Sequence, residues 1–165
     1  MHKKENNWGW LKEVTSSDEQ ILKAFFIKNN VPPTVRGFSA FPLNGESANF
    51  ICSKSHQDKF YIFVDEKTIK GFSMLRGWDE GYSIPSFGII VDIDYQGKGI
   101  GSKILELTIE KCLQLGCKRM RLSVYSSNQT AYNLYRKFGF TEIERSPINY
   151  NGESIEKIIM IKDFI

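Results

Sequence analysis

Apolar positions between Gly101 and Leu115 recur at steps of three and four: Ile104, Leu105, Ile109, Cys112 and Leu113, with Thr108 among them. That spacing puts them on one face of a helix, and Gly116 stands where such a helix ends. Downstream the period changes to two. Met120, Leu122 and Val124 alternate with polar neighbours, as they do in a half-buried strand. Ser126-Ser127-Asn128 offers cap chemistry for a short helix reaching Phe138, which Gly139 stops. Phe140 to Arg145 and Ile155 to Lys162 read as strands joined through Asn149-Tyr150-Asn151-Gly152.

Upstream, Phe60 to Val64 and Ile69 to Leu75 are β-rich runs parted by the polar Asp65-Glu66-Lys67-Thr68, the pattern of a hairpin. Ser86 to Val91 is a third run, and three consecutive antiparallel strands follow. Near the start, Trp8 to Val14 is a short strand. Ser16-Ser17-Asp18-Glu19 then caps a helix through about Lys28 that buries Leu22, Phe25 and Phe26. Residues 29 to 45 are rich in breakers but also hold Phe38 and Phe41, which predicts an ordered loop packing aromatics. A second short helix runs from Glu46 to Lys54. The order β-α-α-β-β-β-α-β-α-β-β predicts an α/β (α+β) fold, a mixed and mostly antiparallel sheet with helices on its faces.

Composition narrows the class. The chain has 165 residues with no shift in composition along it, which predicts one domain over residues 1–165. Hydrophobic residues make up 41% and charged ones 25%, as in ordinary globular proteins, so disordered and fibrous classes are excluded. The 22 Lys and Arg against 19 Asp and Glu are scattered, which argues against nucleic acid as a partner. The local cluster Lys118-Arg119-Met120-Arg121 could touch phosphate, but at strand spacing it reads as a solvated face. No window approaches the roughly 18 apolar residues of a membrane span, and Met1 to Asn7 lacks the apolar stretch of a secretory leader. A cytoplasmic location is expected. Cys52, Cys112 and Cys117 have neither disulfide-framework nor zinc-site spacing, so no metal is expected and buried free thiols are.

The chemical signal lies at Gln96-Gly97-Lys98-Gly99-Ile100-Gly101-Ser102, between a strand and the long amphipathic helix. Backbone N–H groups at a helix N-terminus have no intrahelical partner, and the helix dipole favours negative charge there. Glycines let a phosphate reach the main chain, so a pyrophosphate suits the turn, although such a turn also serves as a plain strand-to-helix connection. A dinucleotide fingerprint fails because the sixth position counted from Gly97 is Ser102, and a P-loop fails because Gly97-Lys98 is followed by Gly99. What the stretch does match is Gln/Arg-x-x-Gly-x-Gly/Ala after an apolar strand. It resembles the acetyl-CoA loop of the GNAT superfamily of N-acetyltransferases. The resemblance extends over Ile89 to Gly101 and again over Asn128 to Phe140, and it departs at Ile93, where the family commonly has proline.

The resemblance implies acetyl-CoA as co-substrate and a strand, Ile89-Ile90-Val91, splayed from its neighbour so that pantetheine pairs with its backbone. Gln96, Gly97, Lys98, Gly99, Ile100, Gly101, Ser102 and Asn128 would complete the coenzyme site. Tyr135 falls at the family's frequent general-acid position; a phenol with an ordinary pKa of about 10 stays protonated at neutral pH and can protonate a departing thiolate. Asn128 also reads as a helix cap. For the general base the sequence offers only Glu80 and Asp79, on the turn before the splayed strand. Where relatives acting on protein N-termini often carry glutamate, this chain has Ser123, which favours a small-molecule amine as acceptor. Arg36, Phe38, Phe41, Trp78, Asp79, Glu80 and Tyr82 lie in the regions that recognise acceptors. The run Gly77 to Tyr82 resembles bacterial acetyltransferases of nucleotide-linked amino sugars. A protein N-terminal or lysine acetyltransferase and a non-catalytic acyl-CoA-binding module are the alternatives, and a homodimer through the C-terminal strands stays open.

Overall fold

The computed structural model describes residues 9–53, 56–66 and 68–164. Seven strands form a single sheet: β1 (Trp10–Glu13), β2 (Lys59–Val64), β3 (Ile69–Arg76), β4 (Ser86–Val91), β5 (Arg119–Tyr125), β6 (Thr141–Tyr150) and β7 (Glu153–Asp163). Their order is β1-β2-β3-β4-β5-β7-β6, and every neighbouring pair is antiparallel except β4 and β5. The helices are α1 (Glu19–Asn29), α2 (Pro32–Val35), α3 (Gly45–Cys52), α4 (Ile100–Gln114) and α5 (Gln129–Lys137). Among the described residues no helix is long and apolar enough to cross a membrane.

Local chemistry accounts for most boundaries. Before α1, Ser16–Asp18 forms one 3-10 turn; Thr15 N–H donates to Asp18 Oδ2 at 2.8 Å and Asp18 N–H to the Thr15 carbonyl at 3.0 Å. The cap predicted at 16 to 19 is thus spread over a reciprocal turn that starts one residue earlier. Pro32 and Pro33 open α2, a helical turn inside the stretch predicted to be loop; proline fits the first helical turn because its missing N–H has no partner there anyway. The first strand covers Trp10–Glu13, with Trp8 outside the described residues, and α3 ends at Cys52, with Lys54 also outside them. The C-terminal strands run longer than their apolar pattern, because Asn151 (φ 50°) and Gly152 (φ 84°) make the tight two-residue turn that continues the pairing to Tyr150 and Glu153.

The sheet buries both faces. On one, Leu22, Phe25 and Phe26 of α1 and Ala48 and Ile51 of α3 pack on Phe60, Ile62, Phe72 and Met74. Phe26 meets Phe72 edge-on with ring centroids 5.3 Å apart. On the other, Leu105 and Cys112 of α4 and Tyr135 of α5 pack on Met120, Leu122, Val124, Ile158 and Met160. Each fully buried Phe, Leu or Ile contributes about 1.5–3 kcal/mol relative to exposure. The long helix rests closely on β3: a Cβ at Gly71 would collide with Ile104 Cδ1 and stand 3.0 Å from the Ile90 carbonyl oxygen.

The end of β4 is fixed from a distance. Asp92, 1% exposed, accepts from Lys28 Nζ (2.9 Å), Asn29 Nδ2 (3.0 Å) and the Asp94 N–H (2.9 Å). Asn29 Oδ1 in turn accepts from the Ile93 N–H at 2.9 Å, and the Asp92 N–H donates to the Lys70 carbonyl at 2.9 Å. The C-terminus of α1 thereby holds the departure of the glycine turn from the sheet. Burial, the largest single influence on this carboxyl, pushes its pKa up, but the hydrogen bonds from Asn29, the Asp94 amide and Lys28 together outweigh it and hold the group below its ordinary value.

Two stability predictions follow from this geometry. Asp92→Asn sets a donor amide against the donors it now accepts from, and a loss of about 1–3 kcal/mol is expected in urea unfolding. Because the folded carboxyl is depressed, its stabilisation is present above the unfolded pKa of about 3.9 and is lost as pH falls through the folded value, so the gap between wild type and variant should narrow below about pH 4. Gly71→Ala should cost about 1–3 kcal/mol through overpacking against Ile104, with unfolding midpoint as the readout.

Candidate functional site

The strand β4 pairs with β3 along its whole length, from Gly71 opposite Val91 to Arg76 opposite Ser86. Toward β5 it makes one register pair, Ser86 opposite Arg121, sealed by the Arg121 N–H donating to the Pro85 carbonyl at 2.9 Å. Beyond that pair the two parallel strands diverge. A cavity of about 310 Å³ opens at the divergence, lined by Phe87, Gly88 and Ile89 of β4, Ser123 and Val124 of β5 and Tyr135 of α5. The segment predicted to be splayed, Ile89-Ile90-Val91, therefore makes no strand pairing with β5, while its β3 edge is fully paired. Ile89 lines the cavity, and Ile90 packs into the α1 core.

At the far end of β4 the chain enters the glycine turn. Gly97 (φ +74°) and Gly99 (φ +80°) both take the left-handed backbone that costs other residues about 1–2 kcal/mol. A Cβ at Gly97 would meet nothing within 4 Å, so glycine serves the backbone angle and the space above the loop is open. Gln96 Nε2 donates to the Val91 carbonyl at 3.2 Å and Lys98 Nζ to the Asp94 carbonyl at 3.1 Å, closing the loop on itself. Ile100 is buried against Phe63 and Ile104, so only its main chain faces outward. In α4 the first helical bond is that of the Lys103 N–H to the Gly99 carbonyl at 3.3 Å. The amides of Ile100, Gly101 and Ser102 precede it and point along the helix axis at a positive dipole end, a cradle that fits a diphosphate.

The other wall of the cavity comes from α5. Asn128 caps that helix, its Oδ1 accepting from the Ala131 N–H at 3.2 Å, and its Nδ2 lies 3.5 Å from where a Cβ of Gly37 would stand. Tyr135 is 7% exposed, held edge-on between Phe87 (6.2 Å) and Phe140 (5.9 Å). Burial pushes its phenol above the usual tyrosine range, so it stays protonated throughout the neutral range.

A second cavity of about 570 Å³ adjoins the first and shares Ala40, Met74, Phe87 and Ser123 with it. Its walls also include Arg76, Glu80, Tyr82, Ser86 and Arg121. The two carboxylates proposed from sequence as bases separate here. Asp79 accepts from the Gln57 N–H (2.8 Å) and the Asp58 N–H (3.1 Å), bonds that hold its pKa below the usual value, and it does not line the cavity. Glu80 does line it, with Arg76 Nη2 3.8 Å away. Of the other acceptor-region residues, Arg36 is paired with Glu153 at 3.0 Å on the surface, Trp78 packs against the α4–α5 core, and Phe41 meets Phe38 and Phe72 edge-on and Phe26 at a tilt. Phe38 and Tyr82 do reach the cavities. Arg121, read from sequence as a solvated strand face, stands in the wall, because only the register of β5 against β4 decides where that face looks. Among the described residues no cluster of three His, Cys, Asp or Glu could hold a metal ion.

Comparison with known proteins bears on the same region. The model of the acetyltransferase (GNAT) family matches residues 28–140. A spermine/spermidine N(1)-acetyltransferase of Bacillus subtilis (strain 168) is 39% identical over 66 residues, 39% of this chain and 42% of that protein. A thialysine N-epsilon-acetyltransferase of Bos taurus is 31% identical over 83 residues, 48% of this chain and 49% of that protein. The matched stretch thus spans less than half the length of these relatives. The crystal structure of an acetyltransferase of the GNAT family from Streptococcus pneumoniae shares the fold, with a TM-score of 0.77 at 23% identity over 93% of this chain and 98% of that one. With a family match running from the end of α1 to the strand after Tyr135, across the diverging strands and the glycine turn, the chain belongs to the acetyltransferase (GNAT) family.

Proposed function

We propose that this protein transfers the acetyl group of acetyl-CoA to the primary amine of a small molecule by direct attack within a ternary complex. The observation that carries the reading is the divergence of β4 from β5 beyond Ser86, which joins the amide cradle of α4 at one end to the buried Tyr135 phenol and the larger cavity at the other. Acetyl-CoA, when bound, supplies an activated thioester; the chain supplies the positioning and the protons.

The diphosphate is held by the amides of the Gly97 to Ser102 turn, with Gln96 and Lys98 fixing the loop's shape and Asn128 contributing from the opposite wall. The β5-facing main chain of the strand segment Ile89 to Val91 holds the pantetheine arm and aims an N–H at the thioester carbonyl, where negative charge grows as the amine attacks. The Tyr135 O–H gives its proton to the sulfur as the carbon–sulfur bond breaks. Its raised pKa does not prevent this, since the same dry surroundings make the departing sulfur more basic. Glu80, on the cavity wall, takes the proton that the ammonium must lose before attack, directly or through water. Ser123 leaves the β5 wall without a carboxylate, which supports a small acceptor over a protein N-terminus.

Tyr135→Phe, which keeps the ring packing, should lower kcat about 100-fold or more while the dissociation constant of the coenzyme, measured by calorimetry, stays unchanged. Full activity in that variant overturns the acid role. Absence of any heat on titrating acetyl-CoA into the folded protein overturns the acetyl-transfer reading itself.

A further inference from the structure

The sheet sets three polar side chains in one row at the wall of the larger cavity. Arg76 of β3 is in register with Ser86 of β4, and Ser86 with Arg121 of β5. Residues directly opposite one another project from the same face, and adjacent strands lie about 4.8 Å apart, so two guanidinium groups flank one hydroxyl from backbones roughly 10 Å apart. Arg121 donates to Ser86 Oγ at 3.4 Å, and no carboxylate among the described residues lies within ion-pair distance of it. Arg76 donates to the Ala40 carbonyl at 3.3 Å, sits over the Phe41 ring at 5.7 Å, and has Glu80 at 3.8 Å, beyond a good hydrogen bond.

A guanidinium keeps its charge at any physiological pH, and one that is partly withdrawn from water without a counter-ion favours an anion. The side chains lining this cavity that carry charge at neutral pH are Arg76, Arg121 and Glu80. Its charge is therefore positive, and Lys157 on the adjoining cavity adds to it. A polyamine would bring further cations to this wall with a single carboxylate to receive them. The planar fork of arginine matches carboxylate and phosphate oxygens in pairs.

We infer that the acceptor is a small amine carrying its own anionic group, a carboxylate or a phosphate, which docks on Arg121 and Arg76 while Glu80 receives the ammonium. The inference rests on the acetyl-transfer reading and specifies its substrate class. Arg121 is then a specificity-determining residue, and Ser86 holds its guanidinium toward the cavity.

Coenzyme A release from acetyl-CoA by the full chain tests this with matched acceptors: the common L-amino acids and their carboxamides, glucosamine 6-phosphate and glucosamine, and spermidine. The expected result is that charged members of one pair type exceed their neutral partners by about 10- to 100-fold in kcat/KM. The pair type that responds tells carboxylate from phosphate. Arg121→Gln should reduce kcat/KM for the charged acceptor at least about tenfold more than for its neutral partner, chiefly through KM, and Arg121→Lys should recover part of the loss. Spermidine or neutral acceptors preferred, equal losses for charged and neutral acceptors in a folded Arg121→Gln, or no acetylation across the panel would each overturn the inference. If acetyl-CoA still binds by calorimetry in those cases, the coenzyme site stands and only the acceptor class falls. If it does not bind, the acetyl-transfer reading falls with it.

Discussion

One parallel junction governs this molecule: β4 holds β5 through Ser86 and Arg121 and then lets it go. Backbone N–H and C=O groups released from a ladder must find partners, in water or in a ligand, because an unpaired buried amide costs about 1–3 kcal/mol. The opening is kept from closing by what grips each strand from behind. Strand β4 is zipped to β3 along its whole length, and β5 is equally zipped to β7 from Arg119 opposite Asp163 to Tyr125 opposite Lys157. Between them Tyr135, Phe87 and Val124 prop the gap with buried apolar bulk.

The glycine turn depends on the same arrangement. Its geometry is set locally by Gly97 and Gly99, but its position is set by α1, whose last residues reach across the sheet edge. Lys28 and Asn29 take the carboxylate of Asp92 and the amide of Ile93 just where β4 ends. The family's usual proline at position 93 is isoleucine here, and the Ile93 N–H that a proline would lack is spent on Asn29. A backbone hydrogen bond thus anchors the approach to the loop, and the amides of α4 emerge beside the opening rather than elsewhere on the helix layer.

Charge divides the work between the two adjoining cavities. The smaller cavity is lined mostly by apolar and hydroxyl-bearing groups with Asn128 and Lys157, and of its two phenols burial keeps that of Tyr135 protonated. The larger cavity has the guanidinium groups of Arg76 and Arg121 and the carboxylate of Glu80, which lies 3.8 Å from Arg76 Nη2. Neighbouring residues in the chain take different duties: Asp79 ties down the Gln57 and Asp58 amides, and Glu80 faces the open space. A third of a turn of 3-10 helix separates a structural carboxylate from an available one.

The sequence by itself determined most of the elements whose cause is local. The period of α4, the alternation of β5, the Asn128 cap and the glycine turn each depend on residues within a few positions of one another, and pattern reading reached them. It misjudged residues 32–35, where two prolines look like breakers but fit a first helical turn, and it stopped the C-terminal strands short of their Asn-Gly turn. Tertiary structure alone decided the rest. That Asp92 meets Asn29 across 63 residues, that Arg36 and Trp78 turn away from the site, and that Arg121 leaves a nominal surface stripe to line a cavity all follow from strand order and register. A strand's sequence marks which residues share a face, but what that face looks upon is fixed only when non-local strands pair and helices cover some of the surface and leave the remainder open.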